Sequence, residues 1–310
     1  MRIDLHAHST ASAGSQSPAE VVAAAARAGL DVVALTDHDS TQGWAEAFAA
    51  GRRLDVLVVP GAEISCRVRG ISVHLLSYLH DPADPDLRAE LTLTREDRVG
   101  RARRMVARLS ADYPLTWDDV LEHVAEGATV GRPHIADAMI SRGLIASRDE
   151  AFETTLHRSS PYFVPHYAPH AADAVRLVRA AGGVPVMAHP RAGRRGRVVP
   201  DQDIVELTAA GLLGIEADHP DHTPDERDQV RRLAGQLGLF VTGSSDYHGP
   251  ARPNRLGDFT TPDAVFDAIL AAGHGSRPGG ARAGGSGAGG SEAGAGGPGA
   301  GGSGAGGADG

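Results

Sequence analysis

Histidines and acidic residues recur along this chain at the ends of short apolar runs, in spacings that suit metal binding. His6 and His8 are two residues apart, as are Asp246 and His248. Side chains two apart on a strand share a face, so each pair can reach one ion. Imidazole and carboxylate groups together suit Zn, Mn or Fe, and a carboxylate such as Glu63 can bridge two ions. The predicted metal ligands are His6, His8, His38, Glu63, His74, His189, Asp246 and His248.

Seven apolar runs alternate with helical patterns and predict an α/β barrel. The predicted strands are Arg2–Leu5, Val32–Thr36, Leu57–Glu63, Val73–Leu79, Val184–His189, Gly214–Asp218 and Phe240–Ser244. The predicted helices are Val21–Ala28, Trp44–Arg53, Ala171–Ala181, Asp201–Ala210, Pro224–Leu237 and Pro262–Ala271, the first after a capping box that starts at Ser17. Repeated strand–helix units imply a parallel sheet. Each predicted ligand except His74 falls at the C-terminal end of a strand, and in a parallel barrel these ends converge on the face that holds active sites.

Two regions depart from the alternation. Residues 82–165 contain four helical patterns and no convincing strand, so we predict a small helical domain inserted into a barrel formed by residues 1–81 and 166–273. Residues 274–310 are predicted to be a disordered Gly/Ala/Ser tail. Residues 279–310 hold 17 of the 40 glycines, and such a tract cannot bury enough apolar surface to offset its ordering entropy.

Composition excludes several classes of protein. The single cysteine, Cys66, excludes a disulfide framework and a Cys-based zinc site. No apolar run approaches 18 residues and the N-terminus lacks the apolar stretch of a signal peptide, so we expect a cytoplasmic protein with no membrane association. The net charge of −9 argues against broad electrostatic binding to nucleic acid. All 30 basic residues are arginine, which excludes lysine-based catalysis. We predict no stable protein partner.

The polar motifs, taken together, resemble those of the PHP (polymerase and histidinol phosphatase) superfamily. The motifs are Asp4-Leu5-His6-Ala7-His8-Ser9, Thr36-Asp37-His38-Asp39, Gly61-Ala62-Glu63-Ile64, Val73-His74-Leu75-Leu76, His189-Pro190 and Ser245-Asp246-Tyr247-His248. They span nearly all of the chain before the tail, in the order of the family. The resemblance implies a distorted seven-stranded (βα) barrel, phosphoester hydrolysis, and two to three divalent metal ions. Mn²⁺ is the expected ion, with Zn²⁺, Fe²⁺ or Mg²⁺ as alternatives.

A second set of motifs is similar to one branch of that superfamily. It consists of Gly131-Arg132-Pro133-His134-Ile135-Ala136, Pro161-Tyr162-Phe163-Val164-Pro165, and Glu216 with Asp221-His222. The branch contains 3′,5′-nucleoside bisphosphate phosphatases and 5′→3′ exoribonucleases that trim short RNA, and its insert covers the barrel mouth and holds substrate. The resemblance assigns three groups of ligands. One metal is held by His6, His8, Glu63 and Asp246, a second by Glu63, His74 and His189, and a third involves His38 and His248.

The chain departs from the family pattern at one position. Where Ala13 stands, the family usually has an aspartate that binds the third metal. The third site therefore keeps two histidines and loses its only negative charge. We expect weak or absent metal binding there.

The resemblance also implies roles in catalysis. Two metals bridged by Glu63 lower the pKa of a shared water, and the resulting hydroxide attacks phosphorus in line. Arg132 is predicted to bind phosphate through its fork of N–H donors. His134 is predicted to donate to phosphate or to a leaving oxygen, Asp37 to orient a ligand histidine, and His222 to touch phosphate. The predicted substrate is a 3′,5′-nucleoside bisphosphate, a short 5′-phosphorylated RNA, or both.

Alternatives remain open on the sequence alone. A histidinol-phosphate-type phosphatase is the nearest rival within the superfamily, and a non-catalytic metal or nucleotide sensor is the rival from another class. A row of arginines in the helical region is either a basic wall for a second phosphate or a solvated face. The row comprises Arg95, Arg98, Arg101, Arg104 and Arg108. Further candidates for phosphate binding are Arg191, Arg194, Arg195 and Arg197.

Overall fold

Seven strands form a nearly closed barrel in a computed structural model, which describes residues 1–124, 130–165 and 167–280. The strands are β1 (Ile3–Ala7), β2 (Val32–Leu35), β3 (Leu57–Val68), β4 (Ile71–Tyr78), β5 (Val184–Met187), β6 (Gly214–Asp218) and β7 (Phe240–Gly243). They are hydrogen-bonded in chain order. The segment after β7 meets β1 where the His8 amide donates to the Tyr247 carbonyl at 2.8 Å. The predicted distorted seven-stranded α/β barrel is therefore confirmed.

One strand runs against the others. β1, β2 and β3 are parallel, as are β5, β6 and β7, but β4 is antiparallel to both of its neighbours. A two-residue turn causes the reversal, because Arg69 and Gly70 both have positive φ, 46° and 75°, as type I′ hairpin turns require. The prediction that β3 ends at Glu63 is wrong, since the strand continues to Val68. Ile64, Cys66 and Val68 extend its apolar side into the hairpin, where they are buried.

Helices cover the outside of the barrel and fill the region between β4 and β5. They are α1 (Pro18–Arg27), α2 (Trp44–Leu54), α3 (Pro85–Leu109), α4 (Trp117–Leu121), α5 (Arg132–Ser141), α6 (Arg148–Glu153), α7 (Ala171–Ala180), α8 (Asp201–Ala209), α9 (Pro224–Leu237) and α10 (Asp263–Ala272). The predicted capping box of α1 is present: the Glu20 amide donates to the Ser17 hydroxyl, and the Ser17 amide donates to the Glu20 carboxylate. Among the described residues, no helix is long and apolar enough to cross a membrane.

The helices between β4 and β5 share a hydrophobic cluster of their own. Met105, Leu109, Ile135, Met139 and Leu156 are fully buried within it. The N-terminal half of α3 instead packs against the barrel, where Leu87 and Leu91 join the cluster around β3 and β4. The helical segment, as we call residues 82–165, thus has a separate core that one long helix joins to the barrel. Its status as an inserted domain stays a prediction.

The C-terminal boundary differs from the prediction of a tail from residue 274. Gly279 exchanges two backbone hydrogen bonds with Val58, at 2.6 and 2.9 Å, and the Ser276 amide donates to the Leu79 carbonyl at 2.7 Å. The physical reason is glycine: a Cβ on Gly51 would lie 2.8 Å from Cα of Gly280, so only bare backbone allows this approach. The remainder of the predicted tail, residues 281–310, lies outside the described residues.

Candidate metal centre

Four predicted ligands converge at the barrel mouth. Nε2 of His6 lies 3.2 Å from Oε2 of Glu63, and Nε2 of His8 lies 3.0 Å from the same oxygen. The two imidazoles are 3.3 and 3.2 Å from Oδ1 of Asp246. All four side chains are buried, and one donor atom from each falls within 4.8 Å of the others. β1 supplies His6, the residue after it is His8, β3 supplies the glutamate, and the loop after β7 supplies the aspartate.

Glu63 connects this set to further histidines. Its other oxygen, Oε1, lies 2.5 Å from Nδ1 of His74 and 3.1 Å from Nε2 of His189. β4 reaches the mouth from the opposite direction, so His74 contributes from the middle of a strand while His189 contributes from beyond the end of β5. The structure therefore brings together the second predicted group around one carboxylate oxygen.

A third set of donors contains imidazoles only. His8, His38 and His248 offer nitrogen atoms within 4.8 Å of one another, and the rings of His8 and His248 are stacked with centroids 4.2 Å apart. Ala13 lines the same cavity as His38 and His248, and its methyl group supplies no donor. All eight predicted ligands thus lie in one cluster, and their roles as ligands stay a prediction.

The chain enters unusual backbone conformations around these residues. Asp39, His189 and Asp246 have positive φ of 52°, 29° and 50°. Such conformations cost non-glycine residues about 1–3 kcal/mol each and concentrate at functional sites. Local hydrogen bonds hold them: the His189 amide donates to Glu216 at 2.9 Å, and Asn254 donates to the Asp246 carbonyl at 3.3 Å. The sharp turns after the strands aim the side chains inward.

The electrostatics of the cluster favour a cation. Burial raises the pKa of Glu63, but the surrounding histidines, His74 foremost, hold it well below its usual range. Burial lowers the pKa of His8, but hydrogen bonds to Asp246 and Glu63 raise it to about 9. Buried carboxylates therefore stabilise positive charge at the centre of the mouth. Converging imidazole nitrogens and carboxylate oxygens are the donors that Zn, Mn and Fe ions take, so the residues present fit divalent metal ions.

Two residues extend the cluster beyond the predicted ligands. Glu216, quoted in a motif above without a role, accepts from Nδ1 of His6 at 3.2 Å and is buried. Burial raises its pKa, but His6 and His219 lower it, to about 2. The sequence reasoning missed His219, whose Nε2 lies 3.3 Å from Oδ2 of Asp246. A signal was available, because His219-Pro220 follows β6 as His189-Pro190 follows β5.

Among the described residues, Asp37 makes no hydrogen bond to a predicted ligand histidine, so its orienting role stays a prediction. Its carboxylate accepts from the amide and hydroxyl of Ser9, at 2.8 and 2.7 Å, and from the Ser12 hydroxyl at 2.6 Å. Asp37 therefore shapes the loop after β1. Any effect on His8 passes through Ser12, whose hydroxyl is 3.5 Å from Nδ1 of that ring. Glu216, in contrast, contacts a predicted ligand histidine, because it accepts from Nδ1 of His6 at 3.2 Å.

Two other residues predicted to bind substrate, His134 and His222, form hydrogen bonds with backbone groups instead. Nδ1 of His134 accepts from the Gly131 amide at 3.0 Å, which places its ring at the start of α5 and outside the lining of the cavity. Nδ1 of His222 donates to the Ala217 carbonyl at 2.8 Å, and its Nε2 accepts from the Arg191 amide at 3.0 Å. Both nitrogens of His222 are thus occupied. The predictions that these histidines touch phosphate are not supported by their positions.

A cavity of about 850 Å³ opens beside the metal ligands, between the barrel mouth and the helical segment. Its basic lining consists of Arg98, Arg101, Arg132, Arg158, Arg194, Arg197 and Arg252, with His157. Of the predicted row on α3, only Arg98 and Arg101 belong to it. Arg104 forms an ion pair with Asp97 on the surface of the protein, and Arg108 donates to backbone carbonyls. The row therefore divides between a cavity wall and an exterior face.

One of these arginines is buried and a second is partly buried. Arg101 is 4% exposed and donates to the Val164 carbonyl, and Arg132 donates to the Leu156 carbonyl at 3.0 Å with its guanidinium 4.9 Å above Phe152. Burial and neighbouring arginines lower the pKa of Arg101 to about 8 and that of Arg132 to about 10. In the described part of the chain, no carboxylate lies within ion-pair distance of Arg101, Arg132 or Arg158. The cavity therefore favours anions.

Clustered histidines and carboxylates at a barrel mouth, beside a cavity lined by arginines, are typical of metal-dependent hydrolases that act on anionic substrates. Comparisons agree with this class. The profile of the PHP domain matches residues 4–146. A 3′,5′-nucleoside bisphosphate phosphatase from Chromobacterium violaceum is 35% identical over 260 residues, which cover 82% of this chain and 89% of the relative. A 5′-3′ exoribonuclease from Haemophilus influenzae is 32% identical over 258 residues, covering 83% and 93%.

Two further comparisons support the assignment. A phosphoribosyl 1,2-cyclic phosphate 1,2-diphosphodiesterase from Eggerthella lenta is 34% identical over 250 residues, covering 79% of this chain and 94% of the relative. A crystal structure of a chain assigned as a metal-dependent phosphoesterase from Bifidobacterium adolescentis superposes with a TM-score of 0.86 at 38% identity, covering 88% of this chain and 96% of that one. This chain belongs to the PHP family of metal-dependent phosphoesterases. The predicted family, fold and enzyme class are confirmed.

Proposed function

We propose that this phosphoesterase releases phosphate from 3′,5′-nucleoside bisphosphates or trims short 5′-phosphorylated RNA. The observation that carries the proposal is one cavity with two kinds of anion site. Five of the predicted metal ligands line it: His38, His74, His189, Asp246 and His248. Its wall holds Arg101, which is buried, and Arg132, which is partly buried, and among the described residues neither has a carboxylate within ion-pair distance. A substrate with two phosphate groups can engage both. The relatives named for nucleoside bisphosphates and RNA act on substrates of this kind.

Different groups of residues would bind the metal ions and the substrate. His6, His8, Glu63 and Asp246 would hold one divalent ion, and His74 and His189 would share Glu63 with a second. Bound there, such ions supply Lewis acidity at the phosphoryl oxygens and lower the pKa of water. Glu216 fixes the ring of His6 by accepting from its Nδ1, as carboxylates do for metal-binding histidines. The backbone turns after β5 and β7 preset the positions of His189 and Asp246.

The chain's arginines bind and orient the rest of the substrate. A guanidinium presents five N–H donors in a rigid fork that matches phosphate oxygens. Arg132 is held by Leu156 and Phe152, so it meets a phosphate with little loss of side-chain entropy. The arginines that line the cavity also argue against histidinol phosphate, because that substrate has one phosphate group and a cationic amine. Like charges across a cavity of low dielectric repel.

Direct assays of phosphoester hydrolysis test the proposal. Purified full-length protein with Mn²⁺ is given four substrates in parallel: 3′-phosphoadenosine 5′-phosphate, a 5′-phosphorylated RNA oligomer, histidinol phosphate and phosphoribosyl 1,2-cyclic phosphate. We expect the highest kcat/KM on the bisphosphate or the RNA. We expect Glu63→Gln to abolish it, and Arg104→Met, on the exterior face of α3, to leave it unchanged.

Each other outcome contradicts the proposal in a distinct way. A preference for histidinol phosphate favours the rival phosphatase, and a preference for the cyclic phosphate favours the activity of the relative from Eggerthella lenta. Mn²⁺ binding without turnover of any of the four favours a non-catalytic sensor.

A further inference from the structure

Asp39, the residue after His38, clamps two strands of the metal centre together. It is fully buried. Its amide donates to the Glu63 carbonyl at 3.1 Å. Its carboxylate accepts from the Ser65 amide at 2.8 Å and from the Ser65 hydroxyl at 3.0 Å. The loop that carries His38 is thereby tied to the stretch of β3 that carries Glu63.

An arginine from the helical segment completes this clamp. Nη2 of Arg98, on α3, donates to Oδ2 of Asp39 at 2.8 Å and also to the Ser65 hydroxyl. The hydroxyl of Ser65 thus donates to the aspartate and accepts from the arginine. The Arg98 side chain is 13% exposed and that of Asp39 is 0% exposed. Removing one partner of such a charge pair strongly destabilises the folded protein, because the other charge is left buried without compensation.

Arg98 lies on α3 between the part of the helix that packs on the barrel and the part that packs in the helical segment. Leu87 and Leu91, before it on α3, pack in the barrel cluster. Met105 and Leu109, after it, pack in the cluster of the helical segment. Arg98 therefore sits where the helix leaves the barrel. The same side chain lines the cavity, and its buried Nε has no hydrogen-bond partner among the described residues.

We propose that Arg98 is a positioning residue for the metal centre. By holding Asp39 and Ser65, it fixes the His38 loop against Glu63. The same contacts fix α3 above the cavity, so metal binding at His38 and placement of the helical segment depend on each other. Residues behind metal ligands commonly change metal affinity about 10- to 100-fold when they are removed. The proposal concerns metal binding and does not depend on which phosphoester is hydrolysed.

Calorimetric titration of the metal-free, full-length protein with Mn²⁺ tests the proposal without any substrate. The variants are Arg98→Met, Asp39→Asn and the double variant. We expect each single substitution to weaken at least one Mn²⁺ site that the wild type fills about 10-fold. We expect the double variant to lose no more than the more affected single variant, because both substitutions break one contact. Arg104→Met, on the same helix, is the matched control and is expected to bind Mn²⁺ as the wild type does.

A conservative variant and a second readout separate positioning from folding. Arg98→Lys keeps the charge but loses the fork, so we expect it to recover part of the Mn²⁺ affinity that Arg98→Met loses. Hydrogen exchange of the Ser65 amide is expected to quicken in Arg98→Met. The proposal is overturned if Arg98→Met lowers the melting temperature while its Mn²⁺ affinities equal those of the wild type. Additive losses in the double variant overturn it as well.

Discussion

Replacing Arg132 with Met tests most directly whether the arginines that line the cavity bind a substrate phosphate. One of the five N–H donors of this guanidinium is engaged with the Leu156 carbonyl, which leaves four for the cavity. A fork that binds phosphate uses two of them, and hydrogen bonds to charged groups contribute about 1.5–3 kcal/mol each. Because the two act as a unit, we take about 3 kcal/mol in total. At about 1.4 kcal/mol per factor of ten, kcat/KM falls about 100-fold.

Methionine is chosen so that the substitution removes the charge and the hydrogen-bond donors but changes the packing little. Its unbranched side chain retains most of the packing that the arginine stem makes against Phe152. Arg132→Lys keeps the positive charge and loses only the planar fork, so we expect a fall of about 10-fold. The assay is phosphate release from 3′-phosphoadenosine 5′-phosphate. The comparison substrate, which lacks one phosphate, is whichever of adenosine 3′-monophosphate and adenosine 5′-monophosphate the wild type hydrolyses.

The comparison of the two substrates decides which phosphate Arg132 holds. If it binds the phosphate that is not cleaved, the fall is large for the bisphosphate and small for the monophosphate. If it binds the phosphate that is cleaved, both substrates lose alike. An unchanged kcat/KM for both, in a variant that melts at the wild-type temperature, would refute the argument that the uncompensated charge of Arg132 serves substrate binding.

Three further outcomes follow from the structure. Ala13→Asp restores a carboxylate beside the imidazole-only set, and we expect metal analysis after Mn²⁺ loading to find one more tightly held ion per chain than in the wild type; three such ions in the wild type would contradict the reasoning. Removal of metal with a chelator is expected to lower the melting temperature, since an ion at 100 times its Kd stabilises the folded state by about 2.7 kcal/mol, and an unchanged temperature in a scan with and without Mn²⁺ would count against resident metal. Deletion of residues 274–310 is expected to lower the free energy of unfolding by about 1–3 kcal/mol in a urea titration, because it removes the pairing with Val58, whereas deletion of residues 281–310 serves as the control and is expected to change it little.

The strand-end rule explains how much of the site could be predicted from the sequence. His189 was found because it ends an apolar run, and the eight predicted ligands do lie together. The same rule applied to β6 leads to His219, which lies three residues before His222 of the branch motif. The direction of β4 was also readable, since Arg69-Gly70 between two apolar alternations is a hairpin signal.

The roles of Asp37, His134 and His222 could not be read from sequence alone. Each is a polar residue within a motif, and each is buried. Their hydrogen bonds depend on which segments approach them in three dimensions. The Arg191 amide that occupies His222 is 31 residues away along the chain, and Ser9 is 28 residues from Asp37. Sequence spacing does not report such approaches, and buried polar groups take whichever partner the fold supplies.

The long helix α3 has a consequence for how the molecule unfolds. Its 25 residues span about 37 Å at 1.5 Å per residue, and its two ends are embedded in different hydrophobic clusters. Melting the helix exposes apolar surface in both clusters at once. A chain with two cores joined by a loose linker unfolds in two steps, but a shared helix couples them. Calorimetry is therefore expected to show one cooperative transition, in which the barrel and the helices above its mouth are lost together.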